Sequence, residues 1–129
     1  HILLQYSKSK VLMERSEYSN YPVIDREGVI ERLGGDEELW MDVVEICLED
    51  FPSQEAALKT ALDTGDLYSA SMRAHAIKGM VANIGAEQTR FLAAEIEKAC
   101  KVKDGETAVL IANDLEKAFE ELKALLGKK

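Results

Sequence analysis

The chain has 129 residues, a formal net charge of −8 at pH 7 and 47% hydrophobic residues, which suits one acidic domain with a packed core. Such a charge argues against nucleic acid as a partner, because the phosphate backbone would be repelled. No apolar run is long enough for a bilayer and no signal-peptide pattern is present, so we expect a cytoplasmic protein without direct membrane contact.

Residues 1–24 are interpreted as a linker or tether, partly helical, and residues 25–127 as one domain. Asp25 resembles a helix N-cap, and a short helix over roughly 25–33 would bury Val29, Ile30 and Leu33. Gly34 and Gly35 end this helix.

The next helix begins at Asp36 and stops at Thr64-Gly65. Its apolar residues lie three or four apart and predict one broad buried face: Leu39, Trp40, Val43, Ile46, Cys47 and Phe51. Pro52 predicts a kink or a new first turn within this helix.

Three further helices follow at short intervals. Asp66 begins the first, whose core stripe is Ala70, Ala74, Ile77, Val81 and Ile84, and Gly85 ends it. The second runs over about 86–102, with Leu92, Ile96, Ala99 and Cys100 facing inward. The third runs over about 106–126 and would bury Val109, Leu110, Leu115, Phe119, Leu122 and Leu126. The sequence therefore predicts an all-α fold, an antiparallel up-down four-helix bundle preceded by a short N-terminal helix.

Cys47 and Cys100 occupy apolar helix positions, which predicts buried free thiols rather than a disulfide framework. No cysteine, histidine or carboxylate cluster has the spacing of metal ligands, and we expect neither a metal nor a cofactor.

His75 is the one histidine away from the chain's first residue. At about 100° per residue it lies roughly 140° from the centre of the core stripe, so it faces solvent. An ordinary surface histidine is the alternative. Gly79 lies one turn later on the same face and would leave room for a partner to reach the ring, although it could instead serve helix packing. Lys78 also leans over His75 and could neutralise phosphoryl oxygens.

The charge around His75 is unusual for so acidic a chain. Residues 67–86 contain no Asp or Glu, whereas Arg73 and Lys78 are positive. Glu97 lies at a similar height on the following helix, so its carboxylate could accept from Nδ1–H and leave Nε2 as the nucleophile. A solvated Glu97 is the alternative.

The stretch His75-Ala-Ile-Lys78-Gly79, followed by Asn83-Ile84-Gly85-Ala86, resembles the His-x-x-Lys-Gly signature of histidine-containing phosphotransfer (HPt) domains. The resemblance extends over about residues 25–126.

This resemblance implies a phosphoryl carrier without kinase activity of its own, acting alone or within a hybrid sensor histidine kinase. His75 would accept a phosphoryl group from a receiver-domain aspartate and pass it to another receiver, while the receiver brings Mg²⁺. Lys78, Gly79 and Glu97 would complete the site, although the family often has Gln at the position of Glu97. We expect a monomer.

Receivers would dock on the histidine face and on neighbouring exposed apolar residues. The predicted docking residues are Tyr68, Ser71, Met72, Arg73, Gly79 and Ala82, with Leu33, Met41, Val44 and Leu48. Two other functions fit the same residues. The chain could be the phosphoacceptor domain of a chemotaxis-type kinase, or a non-catalytic helical adaptor that docks receivers.

Overall fold

The structure, a computed structural model, describes residues 16–127. A 3-10 turn precedes five α-helices: Ser16–Asn20, then α1 Arg26–Arg32, α2 Glu37–Asp63, α3 Leu67–Ala82, α4 Glu87–Lys101 and α5 Gly105–Gly127. Within this part of the chain there is no strand, and no helix has both the length and the apolar character needed to cross a membrane. Most of the predicted tether, residues 1–15, lies outside the described residues.

Aspartate side chains fix where four helices begin. Asp25, Asp36, Asp66 and Asp104 each accept a hydrogen bond from the backbone N–H three residues later, at 2.9–3.1 Å. Each carboxylate satisfies a donor that the first helical turn leaves unpaired, and its charge suits the positive end of the helix. The predicted starts of α1, α2 and α3 are thus confirmed.

The second helix continues through Pro52 over 27 residues. Proline removes one backbone donor, so α2 lacks one hydrogen bond there. The hydroxyl of Ser53 donates to the Asp50 carbonyl at 3.0 Å. A new first turn at Pro52 was one of two predicted outcomes, and the structure does not show it.

Four long helices form the predicted bundle. Each of α2, α3 and α4 packs on the helix that follows it, and α2 also packs on α5, which closes the bundle. The loops between them are short, so neighbours run antiparallel. The rings of Phe51 and Phe119 stack at 3.6 Å between centroids across the α2–α5 seam. The predicted α3 stripe is confirmed, since all five of its residues are fully buried.

The buried face of α2 is narrower than predicted. Leu39 and Ile46 were expected in the core but are exposed. Leu58 and Ala61 are buried in the second half of this helix, and the core side chains of its first half are Trp40, Val44, Cys47 and Phe51. Their spacing of four, three and four residues is a single stripe, and residues that flank such a stripe remain at the surface.

Two residues of α5 follow the same pattern. Val109 and Leu110 were predicted to be buried but are exposed, whereas Ala108, Ile111 and Ala112 take the inward positions. The inward stripe therefore runs through Ala108, Ile111, Ala112 and Leu115, and the apolar residues beside it remain at the surface.

Both thiols are free and buried, as predicted. Burial raises the pKa of Cys47 to about 11, with a further contribution from nearby Asp50, and burial alone raises the pKa of Cys100 to about 11. A thiol with so high a pKa carries little thiolate and is chemically inert at neutral pH.

The loop at residues 83–86 connects α3 to α4 and brings four helices together at one end of the bundle. Gly85 has a φ of +81°, and a Cβ there would lie 2.7 Å from the Asp25 carbonyl oxygen. The Asp25 N–H donates to the Gly85 carbonyl at 2.7 Å, and Trp40 Nε1 donates to the Ile84 carbonyl at 3.2 Å. The loop therefore holds α1 and the beginning of α2.

Residues just before α1 lie against α4. The Gln88 side-chain amide donates to the Tyr21 carbonyl at 2.9 Å, and its backbone N–H donates to the Pro22 carbonyl at 3.3 Å. The Tyr21 ring stacks on Phe91 with 5.1 Å between centroids. The described end of the predicted linker thus packs on the bundle.

Candidate functional site

His75 lies on the outer face of α3, opposite the helix's buried stripe, as the helical periodicity predicts. Its side chain is 67% exposed. Ala74 and Ile77 are fully buried and fix the rotation of α3 around its axis. The imidazole is therefore held in solvent by a rigid helix.

Glu97 on α4 connects the imidazole to two lysines. His75 Nδ1 lies 3.1 Å from Glu97 Oε2, and Lys78 Nζ donates to Oε1 at 2.7 Å. Lys101 Nζ lies 3.1 Å from Oε2. The predicted contact between His75 and Glu97 is therefore present. The Glu97 side chain is only 10% exposed, so Glu97 is not a solvated surface residue.

The charge of Glu97 is maintained by its partners. Burial disfavours ionisation, but the hydrogen bonds and charges of Lys78 and Lys101 outweigh it and lower the pKa of Glu97 to about 2. An ionised carboxylate only accepts hydrogen bonds. The arrangement therefore favours the tautomer with its proton on Nδ1, which leaves the Nε2 lone pair available for attack on an electrophile.

Lys101 is the residue of this cluster that the sequence interpretation missed. Lys78 was expected to lean over His75, yet its ammonium is bound to Glu97 on the neighbouring helix. A signal for Lys101 was available, because a lysine four residues after a glutamate lies on the same helix face and pairs with it.

Gly79 leaves open space beside the imidazole. A Cβ built at this position would meet no atom within 4 Å, excluding neighbouring residues and the backbone of its own helix turn. No other part of the described chain packs against it, so helix packing does not explain the glycine. The free space lies one turn beyond His75 on the same face of α3.

A groove of about 520 Å³ runs beside His75 between α3 and α4. It is lined by Leu67, Tyr68, Ser71, Met72, His75, Glu97, Cys100, Lys101 and Lys103. Tyr68 and Met72 are exposed, as a docking role requires. Glu97 is the only carboxylate in this lining, and it is neutralised by lysines.

The other predicted docking residues differ in exposure. Met41 and Arg73 are exposed, and Arg73 donates to Gln54 Oε1 at 3.3 Å. Ala82, Leu33 and Leu48 are partly buried.

Two predicted docking residues are buried instead. Val44 is 8% exposed because it belongs to the α2 core stripe with Trp40 and Cys47. Ser71 is equally buried, because α4 packs against its side of α3 and leaves it at the floor of the groove. Neither side chain is available as an exposed contact.

The described part of the chain holds no cluster of side chains that could bind a metal ion. In residues 16–127, no three His, Cys, Asp or Glu side chains gather as metal ligands would.

Comparisons with known proteins found one matching family and a similar solved structure. The Hpt domain family matches residues 42–125, a range that includes His75, Lys78, Gly79 and Glu97. The crystal structure of histidine-containing phosphotransfer protein B (HptB) from Pseudomonas aeruginosa PAO1 is similar in fold, with a TM-score of 0.75 and 21% identity over 81% of this chain and 91% of that one. No curated protein matches the sequence. Since the family match covers well over half of its residues, the chain belongs to the Hpt domain family, the histidine phosphotransfer modules of phosphorelays.

Proposed function

We propose that His75 is the phosphoacceptor and that it relays a phosphoryl group between receiver-domain aspartates. The observation that carries this proposal is the bond between Nδ1 and a charged, nearly buried Glu97, on a ring whose other side faces solvent. A positioned carboxylate orients the imidazole, and exposure lets a second protein reach Nε2.

The transfer step is an in-line displacement at phosphorus. The Nε2 lone pair forms the N–P bond while the P–O bond of the aspartyl phosphate breaks, and the receiver's aspartate leaves with that electron pair. Nδ1 keeps its proton, and the positive charge that develops on the ring faces Glu97. The second transfer reverses these events, with a new aspartate as the attacking group.

Docking is proposed on the groove side of α3. The aromatic and thioether side chains of Tyr68 and Met72 give an exposed apolar contact, and Gly79 keeps the approach to the ring clear. A contact of this kind is small and reversible, as a carrier that must leave one receiver to meet another requires. The site lies within one chain, so a single copy in the cytoplasm is proposed to act, alone or within a larger kinase.

Replacing the imidazole tests the assignment. We expect His75→Gln to accept no phosphate from a ³²P-labelled receiver, because the nucleophile is gone. Circular dichroism and thermal unfolding should stay at wild-type values, because the side chain is largely exposed. Lys117→Gln, an exposed position on α5, is the matched control and should accept label normally.

Acid-labile label on His75→Gln would disprove the assignment. Normal labelling of wild type by a kinase domain with ATP, but none by receivers, would instead favour the chemotaxis-type alternative. Receiver binding without any label transfer would favour the adaptor.

A further inference from the structure

Lys101 stands beside the imidazole without belonging to the His-x-x-Lys-Gly stretch. Its Nζ and His75 Nδ1 both lie 3.1 Å from the same oxygen, Glu97 Oε2. Lys101 and His75 also line the same groove. The two lysines therefore reach the carboxylate from different helices, Lys78 from α3 and Lys101 from α4.

Lys101 is the more exposed of the two lysines. Its side chain is 64% exposed, whereas that of Lys78 is 32% exposed. An exposed lysine has a flexible four-carbon stem and gains little from any single ion pair. It can leave Glu97 at small cost in free energy.

The carboxylate tolerates this departure. After Lys101 leaves, Glu97 still accepts from Lys78 through Oε1 and from His75 through Oε2. A buried charge that keeps its hydrogen bonds and one cation remains compensated.

A phosphoryl group on His75 changes the balance of charge next to Lys101. A phosphoryl group carries about −1.5 to −2 charges at pH 7 and three strong acceptor oxygens. Glu97 carries a single charge that is already shared among three donors. The new anion is thus the stronger partner for the exposed ammonium group of Lys101.

We propose that Lys101 is a second phosphate-binding cation, held by Glu97 while His75 is free and transferred to the phosphoryl oxygens once Nε2 is phosphorylated. The proposal rests on the proposed function of His75 and assigns to α4 a part in stabilising the phosphorylated state. Lys103 lines the groove as well, but no contact joins it to Glu97.

The test uses the whole chain phosphorylated by phosphoramidate, so that no receiver is needed. ³¹P NMR then follows the ionisation of the phosphoryl group with pH. A nearby cation favours the dianion, so Lys101→Gln should move the midpoint to higher pH. The expected change is about two- to fivefold in the protonation constant, as for one exposed ion pair. Lys101→Arg should restore the wild-type midpoint, and Lys103→Gln is the matched control.

Salt gives a second readout that a purely structural role would not produce. The difference between wild type and Lys101→Gln should shrink toward zero in about 1 M salt, where exposed charges are screened within about 3 Å. An unchanged midpoint in Lys101→Gln, or an equal shift in Lys103→Gln, overturns the proposal. If phosphoramidate labels His75 but receivers do not, the relay function fails while the Lys101 result stands on its own.

Discussion

A carboxylate rather than an amide contacts Nδ1 of His75 in this chain. An amide would accept from Nδ1–H but would not require a cation. Glu97 is nearly buried and charged, and Lys78 and Lys101 together more than offset its desolvation. The choice of glutamate therefore explains why two lysines gather beside one histidine.

This charge should make the stability of the domain depend on Glu97 in acid. The folded pKa of Glu97, about 2, lies below its ordinary value of 4.5, so the carboxylate stabilises the fold above about pH 4.5 and loses that contribution as the pH falls toward 2. Glu97→Gln does not titrate, and the other carboxylates titrate in both proteins. Urea unfolding at pH 2–6 should show that the difference in free energy of unfolding between wild type and Glu97→Gln decreases as the pH falls from about 4.5 toward 2. Above about pH 4.5 this difference should be constant. Parallel curves for the two proteins would contradict the assignment of this pKa.

Among the elements, α3 and the loop after it contain two glycines with different roles. Gly79 has an ordinary helical backbone and empty space around it, whereas Gly85 has a positive φ and lies against the Asp25 carbonyl. Gly79 destabilises the helix relative to alanine, and no packing contact requires a glycine there. Gly85 is required by the geometry of the turn.

Alanine substitutions should separate these roles. Gly79→Ala should raise the free energy of unfolding by about 0.5–1 kcal/mol, because alanine is the better helix former and meets no atom. Gly85→Ala should lower it by more than about 1 kcal/mol, because the left-handed conformation and the close carbonyl both oppose a Cβ. Urea denaturation of both variants measures the two signs. Destabilisation by Gly79→Ala would show that the space beside His75 is not free.

Helix starts and the buried stripe of α3 could be predicted because they depend on local sequence. Asp25, Asp36 and Asp66 act within one turn of the residues they cap. The inward residues of α2 could not be chosen among a broad apolar face, because the neighbouring helices decide which stripe is covered. For this reason Leu39, which was predicted to be buried, is exposed, and Val44, which was predicted to be an exposed docking residue, is buried.

For the whole molecule, helix number and short loops were enough to predict the bundle, since antiparallel packing is what short connections allow. Helix lengths also placed His75 and Glu97 at the same height, which the structure confirms as a contact. The Lys78 ammonium can bind either of two anions, the phosphoryl group expected on His75 or the Glu97 carboxylate. Residue spacing along α3 does not determine which of the two it contacts, and in the structure it contacts Glu97. The contact of Tyr21 with Phe91 involves too few apolar residues to produce a periodic signal.

The loop at residues 83–86 makes the two ends of the bundle unequal in their resistance to local opening. Its backbone is bonded by α1 and by Trp40, and Ala86 is fully buried. At the opposite end, Val102 and Lys103 are exposed, and Lys103 has a φ of +63°.

Amide hydrogen exchange should therefore differ between the two ends. The Ala86 amide should exchange only through global unfolding, whereas the Lys103 amide should exchange faster through local opening. Native-state exchange followed by NMR measures both, and equal protection would contradict the difference. The groove beside His75 extends toward the less protected end, so the proposed docking surface lies where the bundle is expected to open more readily, far from the well-bonded loop.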